Sequence, residues 1–225
     1  MAEAVAVATC VADSKRNATD PCPPIDLLSN MDLPRNKIII IAAPSGAGKT
    51  SIVRYLLEKM PDQLAFSVSC TTRAPRPGET DGKEYYFIPV TEFEKKISEG
   101  SLAEWEMVYP GKYYGTPVSE LERIWQMGKT PLLDIDVKGG LNIRRRYPAS
   151  SLAIFIEPPS LEELSRRLQA RGTENPESLT ARIEKAGYEM SFKNEFDQVV
   201  LNEDLPTACR ETEKWVRTFL QAPAP

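Results

Sequence analysis

Between Lys37 and the C-terminus, short continuous apolar runs alternate with segments whose apolar residues recur every three or four positions. The four isoleucines Ile38–Ile41 form the first run, apolar on both faces, as a strand buried in a parallel sheet must be. Pro131–Val137 (PLLDIDV), Ser151–Glu157 (SLAIFIE) and Asp197–Leu201 read as further strands of this kind. The helical period comes first in Thr50–Met60, where Ile52, Val53, Leu56, Leu57 and Met60 share one stripe before Pro61. A helix opened by Pro117 runs through Val118, Leu121 and Ile124 to Gly128. The capping box Ser160-Leu161-Glu162-Glu163 predicts a helix ending before Gly172, and Asn175-Pro176 introduces the next. Pro206–Leu220 is an amphipathic helix carrying Ala208, Trp215, Val216 and Phe219. This alternation predicts an α/β fold, a parallel sheet with helices on both faces.

The stretch from about residue 67 to 118 breaks the rhythm. Leu64–Ser69 reads as a short strand, followed by a Pro/Gly-braced loop, Thr71–Gly78. Tyr85–Ile88 is rich in β-formers, Thr91–Glu94 reads as a capping box opening a helix that Gly100 closes, and Leu102–Val108 and Tyr113–Gly115 read as paired strands around Pro110-Gly111. We read this part as an inserted substrate lobe. Residues 1–36 mix Ala, Asp, Pro and Ser without periodicity and are expected to form a tail with no catalytic role.

Composition narrows the chemistry. The 28 Lys and Arg against 32 Asp and Glu disfavour a broad footprint for nucleic acid. Histidine is absent, which removes Ser-His-Asp triads, Cys-His pairs and imidazole metal sites. Cys10, Cys22, Cys70 and Cys209 show no CxxC spacing and are expected to stay reduced. No apolar run approaches the ~20 residues of a membrane span. Glu3 and the lack of a basic start argue against a signal peptide, so the expected location is the cytoplasm.

After the isoleucines comes Ala43-Pro44-Ser45-Gly46-Ala47-Gly48-Lys49-Thr50-Ser51. Small residues let backbone N–H groups converge on an anion, the helix start adds partial positive charge, Lys49 reaches the outer phosphates and Thr50 ligates Mg²⁺. The strict P-loop pattern begins with Gly, and Ala43 stands there instead.

Other groups suit phosphoryl transfer. Arg73 and Arg76 sit three apart in the braced loop, where guanidinium forks can grip phosphate. Arg167 and Arg171 share a helix face, and Arg182 lies on the following helix. Solvated surface arginine is the bland alternative for either cluster, and Arg144-Arg145-Arg146 reads as a solvated helix end. Asp134 and Asp136, two apart on a strand, project together from its carboxyl end, where open α/β sheets bind ligands. Mg²⁺, substrate, or a structural pairing with Lys49 would each explain them. Ser69, Tyr85, Glu104, Tyr114 and Thr116 complete the candidates. Glu104 could accept the adjacent N–H donors of guanine, although spacing alone leaves it an ordinary surface acid.

The order SVSCTTRAPRPGETDGKEYYF, EWEMVYPGKYYGTP, LLDIDVKGG and RRLQARGTE with Arg182 closely resembles the guanylate kinase family, from about Lys37 to the C-terminal helix. The resemblance implies transfer of phosphate from ATP to GMP, and to dGMP, with Mg²⁺. It implies a core of residues 37–66, 119–157 and 191–225, a GMP-binding lobe over 67–118 and a lid over 158–190. Within these, Tyr85, Tyr114, Arg73 and Arg76 would hold the GMP phosphate. Ser69, Glu104 and Thr116 would read guanine, with Asp134 and Asp136 also on the GMP side, and Asp134 would share Mg²⁺ with Thr50 through water. Lys49, Arg171 and Arg182 would engage the transferring group, and Arg167 and Asn202 would belong to the ATP side, Asn202 near adenine. Cys70 and Lys138 are further departures from the common family pattern, at places where a small residue and Gln are frequent. The rivals are another small nucleotide or sugar-phosphate kinase, and a catalytically inactive module of the same shape that binds phosphopeptides. A homo-oligomer is left open.

Overall fold

The computed structural model describes residues 37–170 and 176–223. The expected tail and Arg171 lie outside the described residues. The chain builds two sheets. The first, ordered β2-β7-β1-β8-β9, contains β1 (Ile38–Ala42), β2 (Leu64–Phe66), β7 (Thr130–Ile135), β8 (Ser151–Glu157) and β9 (Gln198–Leu201), all paired in parallel. The isoleucine strand β1 lies at its centre, between β7 and β8.

Alternation along β1 explains why four consecutive isoleucines are needed. Ile39 and Ile41 face one side, packing with Ile52, Val53 and Leu56 of α1 (Lys49–Lys59) and with Ala208 and Val216 of α7 (Leu205–Gln221). Ile38 and Ile40 face the other, against Leu121 of α3 (Val118–Gln126) and Leu141 and Ile143 of α4 (Val137–Arg146). All four are fully buried, each contributing about 1.5–3 kcal/mol of hydrophobic stabilisation.

The second sheet, ordered β4-β3-β6-β5, is mixed: β3 (Ser69–Thr71) pairs in parallel with β4 (Tyr85–Phe87), while β6 (Lys112–Pro117) runs antiparallel to β3 and to β5 (Leu102–Tyr109). With α2 (Val90–Ser98) it encloses its own small core of Cys70, Phe93 and Leu102, and the Tyr113 ring stacks on Phe93 at 5.3 Å. Two side chains tie this lobe to the first sheet's helices. Glu120 on α3 accepts from the backbone N–H of Val68 (3.2 Å) and from the Tyr86 hydroxyl (2.9 Å), and Arg146 on α4 donates to the carbonyls of Leu102 and Ala103. The helices α5 (Leu161–Ala170) and α6 (Pro176–Met190) pack on each other.

Four expectations need correction. Leu64–Ser69 is two strands in different sheets, because pairing with β7 stops at Phe66 and the N–H of Val68 turns to Glu120. The capping box at Thr91 does not form; α2 begins two residues earlier, at Val90 after Pro89, with no side-chain cap. The strand from Pro131 ends at Ile135, and Asp136 instead caps α4 by accepting from the Gly139 N–H at 2.8 Å. Finally, Arg144–Arg146 is not simply solvated: Arg144 pairs with Asp197, Arg145 with Glu195, and Arg146 holds the start of β5. At α5 half of the expected box forms: the Ser160 hydroxyl accepts from the Glu163 N–H, while the Glu163 carboxylate turns to Arg166 and Arg167.

Candidate active site

The carboxyl edge of β1 opens into the phosphate-type loop. Gly46 (φ +95°) and Gly48 (φ +97°) both adopt the left-handed region, which side-chain-bearing residues rarely enter. At Gly48 space is also lacking: a Cβ would stand 2.2 Å from Nδ2 of Asn202. That amide donates to the carbonyl of Ala47 at 2.7 Å. Ala43 needs no such freedom, since no non-glycine among the described residues has a positive φ, and its methyl packs into the core. The departure from Gly is therefore accommodated without backbone strain.

Lys49, the first residue of α1, reaches across to β7. Its ammonium lies 2.9 Å from Asp134 Oδ1 and donates to the Ile135 carbonyl at 2.6 Å. Burial alone would lower its pKa, but the Asp134 carboxylate outweighs that and keeps it above the ordinary lysine value. Thr50 Oγ1 stands 3.4 Å from Asp134 Oδ2. One carboxylate thus collects both the Lys49 and the Thr50 side chains of the loop.

The facing wall comes from the second sheet. Glu104 on β5 is paired in register with Thr116 on β6, whose hydroxyl donates to Glu104 Oε1 at 2.7 Å. Burial pushes the Glu104 carboxyl up to about 8, against the Thr116 hydrogen bond. Glycine at 139 makes room for it, since a Cβ there would lie 2.7 Å from Oε2. Two positions on, Glu106 accepts from Asn142 Nδ2 at 3.0 Å, and burial raises its pKa too. Tyr85 and Tyr114 meet edge to face at 5.8 Å. Arg73 is locked behind them. Its fork is held by both Glu79 oxygens at 2.6 and 2.7 Å, its Nε donates to the Tyr114 hydroxyl, and it stacks over Tyr85 at 5.0 Å. Glu79 also accepts from the Arg76 N–H, raises the Arg73 pKa, and is itself held below the usual carboxylate range by that pairing.

These groups meet in one cavity of about 290 Å³. The loop supplies Ala43–Gly46, Gly48, Lys49 and Thr50; the second sheet and its loop supply Ser69, Arg76, Tyr85, Glu104, Glu106 and Tyr114; β7 and the cap of α4 supply Asp134 and Asp136. Arg182 of α6 closes a third side, donating to Ser45 Oγ at 3.0 Å, with Lys185 and Glu189 beside it. Several expected residues stand behind the lining. Thr116 and Ala47 are fully buried, Ser51 is exposed on α1, and Asn202 is buried under the loop. Arg167 pairs with Glu163 and donates to the Asn202 carbonyl.

The guanylate kinase family model matches residues 35–219. The chain belongs to the guanylate kinase family. The guanylate kinase of Salinibacter ruber is 49% identical over 190 residues, covering 84% of this chain and 100% of that protein. That of Chlorobium chlorochromatii is 46% identical over 187 residues, covering 83% and 97%. Among solved structures, a guanylate kinase from Anaplasma phagocytophilum superposes with a TM-score of 0.66 at 31% identity, covering 83% of this chain and 87% of that one.

Against this guanylate kinase frame, sequence reasoning missed Glu79, Glu106, Lys185 and Glu189. Glu79 had a signal, an acid three residues beyond Arg76 and six beyond Arg73, and Glu106 shares the strand face of Glu104. Lys185 and Glu189 carried none beyond i, i+4 spacing on α6. The other departures are absorbed by packing. The Cys70 thiol donates to the Gly115 carbonyl inside the lobe, burial pushing it up to about 12, and Lys138 sits over the Tyr188 ring at 5.3 Å.

Proposed function

We infer that this chain transfers the γ-phosphoryl group of ATP to a phosphate oxygen of GMP, giving ADP and GDP. The observation that carries the reading is a single cavity with the Lys49–Thr50 loop on one wall and the buried Glu104 carboxylate on another. Such a cavity has a seat for a triphosphate and an acceptor for guanine's paired N–H donors. The second sheet with α2 serves as the GMP lobe, and α5 and α6 as the lid.

The attacking phosphate oxygen is already anionic at neutral pH, so no general base is required. What the protein supplies is position and charge. Loop N–H groups and Lys49 cradle the ATP phosphates. Arg76, with Tyr85 and Tyr114, holds the GMP phosphate, and Arg73, fixed by Glu79, holds the tyrosine pair in place while contributing its charge. Arg182, with Arg171, brings positive charge to the transferring group as the lid closes and water is excluded. Groups of this kind are worth ~10³–10⁵ in rate in related systems. Asn202 keeps the loop in shape from below.

A hydroxyl and a carboxylate oxygen 3.4 Å apart fit Mg²⁺, which takes hard oxygen ligands and keeps several waters. Thr50 and Asp134 would hold it, directly or through water. When bound, Mg²⁺ neutralises charge on the β- and γ-phosphate oxygens.

The test is to supply ATP labelled in its γ-phosphate together with GMP. The label should appear at the β-phosphate of GDP, with one ADP formed per GDP. Label released only as inorganic phosphate would contradict the reading.

A further inference from the structure

We propose that Glu106 reads the ribose of the acceptor nucleotide, accepting a hydrogen bond from the 2′-hydroxyl and so favouring GMP over dGMP, which lacks that group. This rests on the reading of the cavity as a GMP site and adds a contact to it.

The register of β5 with β6 sets the geometry. Glu104 lies opposite Thr116 and Glu106 opposite Tyr114. Residues two apart on a strand share a face, about 6.6 Å apart, and both glutamates line the cavity. In the proposed pose the Glu104–Thr116 rung meets the base, while Tyr114, with Tyr85 and Arg76, meets the phosphate. A nucleotide places its sugar between those ends, so the sugar falls beside Glu106.

Chemistry narrows what Glu106 can contact there. An ionised carboxylate is an acceptor only. It cannot bind the phosphate, which repels it, and the paired donors of the base edge are already matched by Glu104. The ribose hydroxyls are the remaining donors. Glu106 is also held ready for them: Asn142 Nδ2 fixes Oε1 at 3.0 Å, while Oε2 accepts no hydrogen bond among the described residues. The charges around it are Glu104, Asp136, Lys138 and Lys185, and Lys185 is 3.2 Å from Glu189.

The test compares kcat/KM for GMP and dGMP, at saturating ATP and Mg²⁺, in the parent chain, Glu106→Ala and Glu106→Gln. The parent should prefer GMP by about 10- to 100-fold, the range of one hydrogen bond to a charged group. Glu106→Ala should bring GMP down towards dGMP, so that the ratio approaches one, and Glu106→Gln should fall between. If the alanine variant does not fold, the near-isosteric glutamine variant carries the comparison. Equal use of both nucleotides by the parent, or an equal loss on both in the variants, would overturn the proposal; the latter would mark Glu106 as a partner of the lid. A parent that phosphorylates neither nucleotide would instead overturn the acceptor reading beneath it.

Discussion

Lys49 and Asp134 form a 2.9 Å ion pair across the carboxyl edge of the sheet, and Asp134 reaches Thr50 with its other oxygen. In the sequence the pairing reads only as the bland alternative to a functional role, and the two are compatible. It holds the lysine at the mouth of the phosphate loop and leaves a carboxylate beside the hydroxyl that would share a metal ion. Lys49→Ala should therefore lower kcat by about 10²–10³-fold, the loss typical of one charge-stabilising donor, with the far-ultraviolet circular dichroism spectrum unchanged. Near-parental turnover would contradict this role.

Gly48 tests the loop itself. Alanine there would suffer both the positive φ and a 2.2 Å contact with Asn202 Nδ2. The backbone term alone costs about 1–2 kcal/mol. Gly48→Ala should lower the denaturation midpoint and weaken binding of a non-hydrolysable ATP analogue. Adding Asn202→Ala should relieve the clash but leave the backbone cost, so stability should not return fully to the parental value.

Glu104 predicts two pH effects. Its carboxyl titrates near 4.5 in a free chain and near 8 when buried here. Between those values the unfolded chain has lost a proton that the folded chain retains, so stability should fall as pH rises through this window and level off above about 8. Glu104→Gln should flatten that slope in urea titrations. Guanine's N–H donors favour the ionised form, so GMP binding at pH 7 should release protons and tighten as pH rises towards 8. Calorimetry in two buffers of different ionisation enthalpy measures this directly.

Glu79 acts through Arg73. Replacing it with glutamine removes a charged bidentate pairing and one anchor of the Arg76 backbone. Glu79→Gln should raise the KM for GMP about tenfold, as expected for a charge-assisted hydrogen bond, with little change in the KM for ATP. Steady-state kinetics with each nucleotide varied in turn separates the two.

The core was legible because burial writes directly into the sequence. Four β-branched isoleucines with no polar interruption, closed by a Pro/Gly loop, favour a strand covered on both faces, and β1 is that strand. The second sheet was harder. Its strands are short, and the step from Phe66 to Ser69 between sheets leaves no mark in a continuous β-forming run. The Thr91 box failed because Pro89 had already fixed the entry to α2, where a residue lacking an N–H costs nothing. Within the site, the loop residues were legible from spacing, whereas Glu104 became legible only through the resemblance. Its partner Thr116 lies 12 residues away. Such a pairing depends on the register of β5 with β6, which local pattern does not reveal. The same register brings Glu106 to the cavity and left it unnoticed.

The central claim is that the cavity joins ATP to GMP and to no other base. It is tested most directly by following ADP release with ATP, Mg²⁺ and each of GMP, AMP, CMP and UMP in turn. The account predicts rapid ADP release with GMP and near-background release with the other three. Comparable rates with AMP or CMP, or none with GMP, would contradict it.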